Sequence, residues 1–227
     1  MAEQNPGLPG LKTARTCTPR NVFLGGRGEY LPGGRVIDGT TSRDTSNTDT
    51  DVLQAGLIMG KITSGGQYSN SILGVTTNAE AVGATSIQAS AACITELVRR
   101  VGSSGTFTLV GPPNAGGQVV SETVTYSAAS GTDITCTAIT NAFIAGSFIM
   151  PTDGSQVPVT FIADEYGVKV TDEDGSSIDV PFARLPIGGK VDSSQLINWP
   201  SDAALRLWLI ARLNDAAGGK FVFDHVY

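Results

Sequence analysis

The sequence predicts a mainly β protein: an extended N-terminal arm followed by an antiparallel β-sandwich or barrel-like body with two short helices. Three observations carry this prediction. The 227 residues include 28 glycines and 11 prolines, while only 16% are charged, a turn-rich composition. After residue 52, short apolar or alternating runs recur roughly every ten residues between Gly, Asn and Asp turn signals. Only two stretches carry a helical period.

Residues 1–52 read as the arm. Pro6, Pro9, Pro19 and Pro32 break it, and its sparse apolar residues follow no period. Asp38–Asp51, DGTTSRDTSNTDTD, contains no apolar side chain. Such a segment has no burial to offset its ordering entropy, so it is expected to be mobile unless a neighbouring chain holds it. The body divides into a β-rich unit with one helix, 53–150, and a β hairpin with the C-terminal helix, 151–227.

Gly56–Thr63 predicts a strand, Ser64-Gly65-Gly66 a turn, and Ile72–Thr77 the return strand. Thr85–Ala89 is a further short strand. The first helix starts after a Ser90 cap and runs through Ile94, Leu97, Val98 and Val101. Arg99 and Arg100 suit its C-terminal dipole, and Gly102 its left-handed end. Beyond Gly105 the period becomes two. Phe107 and Leu109 lie on one strand, and Val120, Val124 and Tyr126 share a face of the next, Val119–Tyr126. Ile134–Ile139, Phe143–Met150 and Val157–Ala163 follow. Tyr166–Thr171 and Ser177–Phe182 flank the turn Asp172-Glu173-Asp174-Gly175. The last helix runs from Pro200 or Ser201 to Ala217, and Phe221–Tyr227 reads as a terminal strand.

Composition argues against most catalysis. The one histidine, His225, leaves no His-based triad or two-His metal site. Cys17, Cys93 and Cys136 fit no zinc or redox spacing and read as free thiols of a reducing compartment. Asp172-Glu173-Asp174-Gly175 begins like a calcium loop but lacks the sixth-position glycine and the late carboxylate. Asp164-Glu165 beside it reads as a solvated pair. Gly111-Pro112-Pro113-Asn114-Ala115-Gly116-Gly117 lacks the Lys-Ser/Thr ending of a phosphate loop, and its prolines remove amide donors. No Gly-x-Ser-x-Gly elbow occurs. No catalytic, metal or cofactor residues are assigned, and the chain is read as a non-enzyme without cofactors.

Charge is uneven. The net charge is −6, yet residues 1–37 carry Lys12, Arg15, Arg20, Arg27 and Arg35 against Glu3 and Glu29. A basic arm on an acidic body suits an acidic protein surface and not nucleic acid. The repeated Gly-Gly-Arg at Gly25 and Gly33 has too little aromatic interleaving for RNA binding. The start, MAEQNPGLPG, is not a secretory leader, and no run of roughly 18 apolar residues suggests a membrane span. A soluble protein made in a cytoplasm is expected.

Gln54-Ala55-Gly56-Leu57-Ile58-Met59-Gly60-Lys61-Ile62-Thr63-Ser64-Gly65-Gly66-Gln67-Tyr68 resembles the bodies of tailed-phage head decoration proteins of the lambda type. In that family an Ala-Gly, an apolar strand ending in Gly-Lys and a Gly-x-Tyr turn follow an extended arm. The resemblance implies a cement protein on the outer surface of an icosahedral phage head, assembled in the host cytoplasm. It implies the major capsid protein as partner and a homo-oligomer, a trimer first and a dimer second. The family's arms pair strand-like with capsid loops. The chain is about twice as long as compact members, which leaves Ala81–Met150 as an inserted or appended β unit. Ile87–Ile149 is also similar to repeats of other phage virion proteins. The alternatives are another virion component, such as a head fibre base, a minor capsid protein or a tail adaptor, or a glycan-binding module.

Two residue sets are expected to carry binding. In the arm, Arg15, Arg20, Arg27 and Arg35 supply a salt-sensitive contact, and Phe23 and Leu24 an apolar anchor. In the last helix, Leu205, Trp208, Leu209 and Leu213 form one stripe, and Leu207 and Ile210 extend it. A helix this apolar is expected to bury Trp208 and also to meet a second chain.

Overall fold

The computed structural model describes residues 19–30, 35–217 and 220–224. In chain order the strands are β1 (Phe23–Tyr30), β2 (Arg35–Ile37), β3 (Val52–Leu53), β4 (Ile58–Lys61), β5 (Tyr68–Asn70), β6 (Gly74–Val75) and β7 (Ser86–Gln88). Helix α1 (Ala91–Val101) follows, then β8 (Gly105–Gly111), β9 (Val120–Ser130), β10 (Asp133–Cys136), β11 (Phe148–Met150), β12 (Pro158–Phe161), β13 (Val168–Lys169), β14 (Val180–Ala183) and β15 (Pro186–Val191). A 3-10 turn at Ser193–Gln195, α2 (Ala203–Ala217) and β16 (Phe221–Phe223) complete the chain. The protein is mainly β with two helices, as the turn-rich texture predicts.

The strands form three larger sheets and the pair β13-β3. One six-stranded sheet, β6-β11-β8-β9-β10-β7, is antiparallel throughout and comes entirely from residues 74–150. It curls, because a bridge between Thr76 and Ala89 and a Thr77 N–H bond to the Gln88 carbonyl join its two ends. Inside lie Phe107, Leu109, Val124, Tyr126, Ile134 and Ile149, against Ile94 and Leu97 of α1. The unit is an insertion: Leu73 donates to the Ile149 carbonyl and Gly74 pairs Ile149, so its start and end are side by side.

The rest of the chain builds the body. A five-stranded sheet, β12-β4-β5-β2-β14, joins residues 35–70 to 158–183, and a three-stranded sheet, β1-β15-β16, joins the first and last strands of the described residues. β4 is apolar without alternation because the five-stranded sheet is covered on both faces. Ile58 and Phe161 point into one core with α2, while Met59 and Ile162 point into the other with Ile37, Leu53 and Val170. Two glycines of this region are fixed by close approach. A Cβ on Gly60 would sit 1.9 Å from the Ser155 carbonyl oxygen, and one on Gly56, at φ +88°, 2.1 Å from that of Gln195.

α1 matches its sequence signals. Ser90 accepts from the Cys93 N–H, and Gly102, at φ +119°, donates to the Val98 carbonyl. α2 begins three residues later than Pro200 predicts, because Asp202 caps it by accepting from the Ala204 and Leu205 N–H groups. The return strand also differs. β4 pairs with Tyr68–Asn70, and the Gly74–Val75 part of the expected Ile72–Thr77 strand belongs to the inserted sheet.

The arm boundary at residue 52 is corrected for the described part. β1 is an extended strand, but it pairs antiparallel with β15, and β2 lies inside the five-stranded sheet. Phe23 and Ile37 are buried in the two body cores. Nor does Asp38–Asp51 lack a hold of its own. Asp44 is fully buried and accepts from the Ser46 N–H and hydroxyl at one oxygen and from the Gln54 backbone and side-chain amides at the other. Arg43 bonds the Gly39 and Ser42 carbonyls and pairs with Asp51 at 2.8 Å. Charge-assisted hydrogen bonds here replace apolar burial. Phe23→Ala should therefore cost about 3–5 kcal/mol in urea unfolding, the range for a core aromatic. An arm side chain off the body would cost nothing.

Candidate interaction surfaces

The side chains that sequence reasoning singled out for binding separate into held and free groups. In the arm set, Arg15 lies outside the described residues. The Arg20 N–H donates to the Glu165 carbonyl at 3.2 Å, and its side chain is half-buried. Phe23 packs on Phe161 and Tyr30, with ring centroids 5.7 and 6.4 Å away, so it anchors the body's own core and not a partner. Leu24 is exposed. Arg27 belongs to β1, its side chain outside the described set. The Arg35 guanidinium stacks over the Tyr68 ring at 4.8 Å.

In α2, Leu205, Leu209 and Leu213 are buried at the centre of the body. Trp208 is half-buried and not fully enclosed, its ring 6.2 Å from Phe148 and capped by Arg212 at 5.5 Å. Phe148 and Val110 come from the inserted unit, so the outer side of its sheet closes the same core. Ile210 is half-buried, and Leu207 is 55% exposed. The expected apolar stripe thus resolves into a core side and an open side.

The feature that sequence reasoning missed is electrostatic. Arg99 and Arg100 suit the helix dipole, but both reach off the helix. The Arg100 side chain is 2% exposed and donates to the Asn70 carbonyl and side-chain oxygen, to Asp153 and to the Ser155 hydroxyl. Arg99 pairs with the buried Glu96 and donates to the Thr40 and Thr41 carbonyls of the polar segment. Nothing in the local sequence distinguishes these roles, because every acceptor off the helix is remote in the chain.

Two shallow, open grooves lie among the described residues. One runs between α1 and the β9–β10 turn, lined by Ile94, Val98 and Ala129. The other runs between β13 and β14, lined by Asp164, Lys169 and Arg184. Among the described residues no three His, Cys, Asp or Glu side chains cluster to hold a metal. Asp172 uses one carboxylate oxygen to accept from the Asp174 and Ser176 N–H groups, an Asx turn. Cys93 and Cys136 are free and buried. Burial, then the Glu96 charge, pushes the Cys93 thiol up to about 12, which leaves it unreactive at neutral pH. No helix among the described residues is long and apolar enough to cross a membrane.

No family model matches the chain, and no curated protein or solved structure matches it.

Two outcomes follow for the Arg100 pair. Arg100→Met strands the Asp153 carboxylate and the Asn70 carbonyl, and should lower the unfolding free energy by about 3–5 kcal/mol. Burial alone would raise the Asp153 pKa, but the Arg100 charge and the Ser155 hydrogen bonds outweigh it and hold the carboxyl below its usual 3.8. A depressed folded-state pKa contributes stability above the unfolded value and loses it as pH falls through the folded one. The stability difference between the parent and Asp153→Asn should therefore be constant from pH 7 to about 5 and shrink below about pH 4. Urea unfolding at several pH values measures both.

Proposed function

We propose that the chain is a virion structural protein: a decoration protein that binds the outside of an icosahedral phage head, as a homo-oligomer on the major capsid protein, and stabilises it. The observation that carries this reading is where the resembling motif falls. Gln54 bonds the buried Asp44, Gly56 and Gly60 make close backbone crossings within the body, and Gly65 and Gly66 turn β4 into β5 at positive φ. Residues that carry the resemblance are therefore among those at which segments of the body meet closely. A stable body with exposed sheet edges and shallow grooves suits added buried area across capsomer joints more than turnover of a substrate.

Phe23 and Arg35 are held by the body, so the shell contact narrows to residues 1–18, with Lys12 and Arg15, and to Arg20, Leu24 and Arg27 beside them. These basic groups make the contact salt-sensitive, because screening at high salt shortens the Debye length to a few ångströms. The acidic remainder faces solvent and keeps decorated heads apart.

The test uses heads lacking this protein, assembled from the major capsid protein encoded in the same genome, and purified full-length chain. The chain should sediment with the heads to saturation and raise their melting temperature. Deleting residues 1–18 should weaken binding at least tenfold at low salt without changing the melting of the free protein. Full-length chain that fails to sediment with heads at any salt, or a truncated chain that binds as the parent does, would contradict the proposal.

A further inference from the structure

The chain contains three Asp-Gly bonds: Asp38-Gly39, Asp153-Gly154 and Asp174-Gly175. Glycine after aspartate leaves the backbone nitrogen open to the aspartate side chain, because no Cβ shields it. The fold treats the three bonds differently. Asp38 accepts from the Thr40 and Thr41 N–H groups at 2.8 and 3.0 Å, and the Gly39 N–H donates to Asp179. A Cβ on Gly39 would sit 1.9 Å from the Ile178 carbonyl oxygen, so the chain there has no room to turn. Asp153 accepts from Arg100 and from the Ser155 N–H and hydroxyl, and the Gly154 N–H donates to the Gln156 side chain at 2.7 Å. In both places the carboxylate is pinned and the glycine N–H is engaged.

Asp174-Gly175 has neither hold. Both residues are exposed, and among the described residues the Asp174 carboxylate has no hydrogen-bond or ion-pair partner. A Cβ on Gly175 would meet nothing within 4 Å, and the Gly175 N–H makes only a long contact, 3.3 Å, with the Asp172 carbonyl. We propose that Asp174-Gly175 is a site of spontaneous backbone modification, isomerising through a cyclic imide to a β-linked isoaspartate, while the fold protects the other two Asp-Gly bonds.

The Gly175 nitrogen loses its proton and bonds to the side-chain carboxyl carbon of Asp174. The carboxyl's hydroxyl takes up a proton and leaves as water, which closes the imide. A water molecule then adds to one of the two imide carbonyls and breaks that carbon's bond to nitrogen. Opening at the side-chain carbonyl restores aspartate. Opening at the main-chain carbonyl leaves the chain running through the side-chain carbon, with a free α-carboxylate. One water leaves and one enters, so mass and net charge are unchanged and no co-reactant is needed. Because the leaving group comes from the protonated carboxyl, the reaction runs faster at mildly acidic pH than at pH 8. The added main-chain carbon falls inside the turn that Asp172 organises through the Asp174 and Ser176 N–H groups. Below it the Thr171–Ser177 bridge and the Ile178 N–H bond to the Val170 carbonyl close the hairpin, so the cores are untouched. The inference stands apart from the decoration reading, since the reaction needs no shell.

The test is incubation of the folded, full-length chain at about pH 6 and about 37 °C for several weeks, where a small fraction of carboxyl groups is protonated. Trypsin then releases the three bonds on separate peptides, residues 36–43, 101–169 and 170–184. The 170–184 peptide should split into two chromatographic peaks of equal mass, with fragmentation placing the isoaspartate at residue 174. Its rate should exceed those of the other two sites at least about tenfold, because those sites react only from locally opened states. In guanidinium chloride the three rates should converge. Asp174→Glu should abolish the second peak, and thermal melting of the aged parent should match that of fresh protein. No second peak from the folded chain, an isoaspartate at Asp172 or Asp179 instead, or Asp38 or Asp153 reacting as fast as Asp174 in the folded chain would overturn the inference.

Discussion

The buried guanidinium of Arg100 is the constraint on which the rest of this structure depends. It sits in α1, inside the inserted unit, yet its acceptors stand on either side of the insertion: Asn70 ahead of it, Asp153 and Ser155 behind it. One side chain therefore holds both chain crossings between the two parts. A cation at this depth is costly unless its donors are used, and here carbonyl, amide, carboxylate and hydroxyl acceptors surround it. Arg99, next to it in the helix, adds the polar segment to the same joint through the Thr40 and Thr41 carbonyls.

The apolar cores follow this joint. The inserted sheet has its own interior, but Val110, Phe148 and Met150 on its other side share a core with Leu205, Leu209 and Leu213 of α2. That sharing makes the insertion part of one body and not an appended bead. It also explains why α2 is so apolar. One side of the helix packs on β12 and β16, another meets the inserted sheet through Trp208 and Phe148, and the row through Leu207 is left to water.

Much of this is legible in the residues. The caps of α1, the alternation of β8 and β9 and the turn at Asp172 are set by local chemistry, and local chemistry is what sequence patterns report. Pairing at a distance is not legible. Strands of two or three residues, such as β3, β5 and β6, carry too little pattern to name their partners, so the residues alone put the return strand in the wrong sheet. Asp38–Asp51 reads as mobile because hydropathy measures burial, and this segment is held by carboxylates and carbonyls instead. The arm boundary fails for a related reason. Phe23 and Ile37 are lone apolar residues in a Gly- and Pro-rich stretch, and their burial depends on β15 and β14 far along the chain. The binding surfaces are the least legible feature, since core and open sides of α2 differ by one residue in sequence and by the whole packing arrangement in space.

Residues 20–30 and 35–52, the inserted unit and the C-terminal half should open as one cooperative structure in the free protein. Amide hydrogen exchange on the isolated chain tests it most directly. The Asp38 and Asp44 N–H groups donate to the Tyr68 and Thr50 carbonyls, the Asp192 N–H to Val22, and the Leu73 N–H to Ile149. The account predicts that these four amides are strongly protected and exchange together, by one global opening. Exchange of the Asp38 and Asp44 amides at the rate of an unfolded peptide, while Leu73 stays protected, would contradict it.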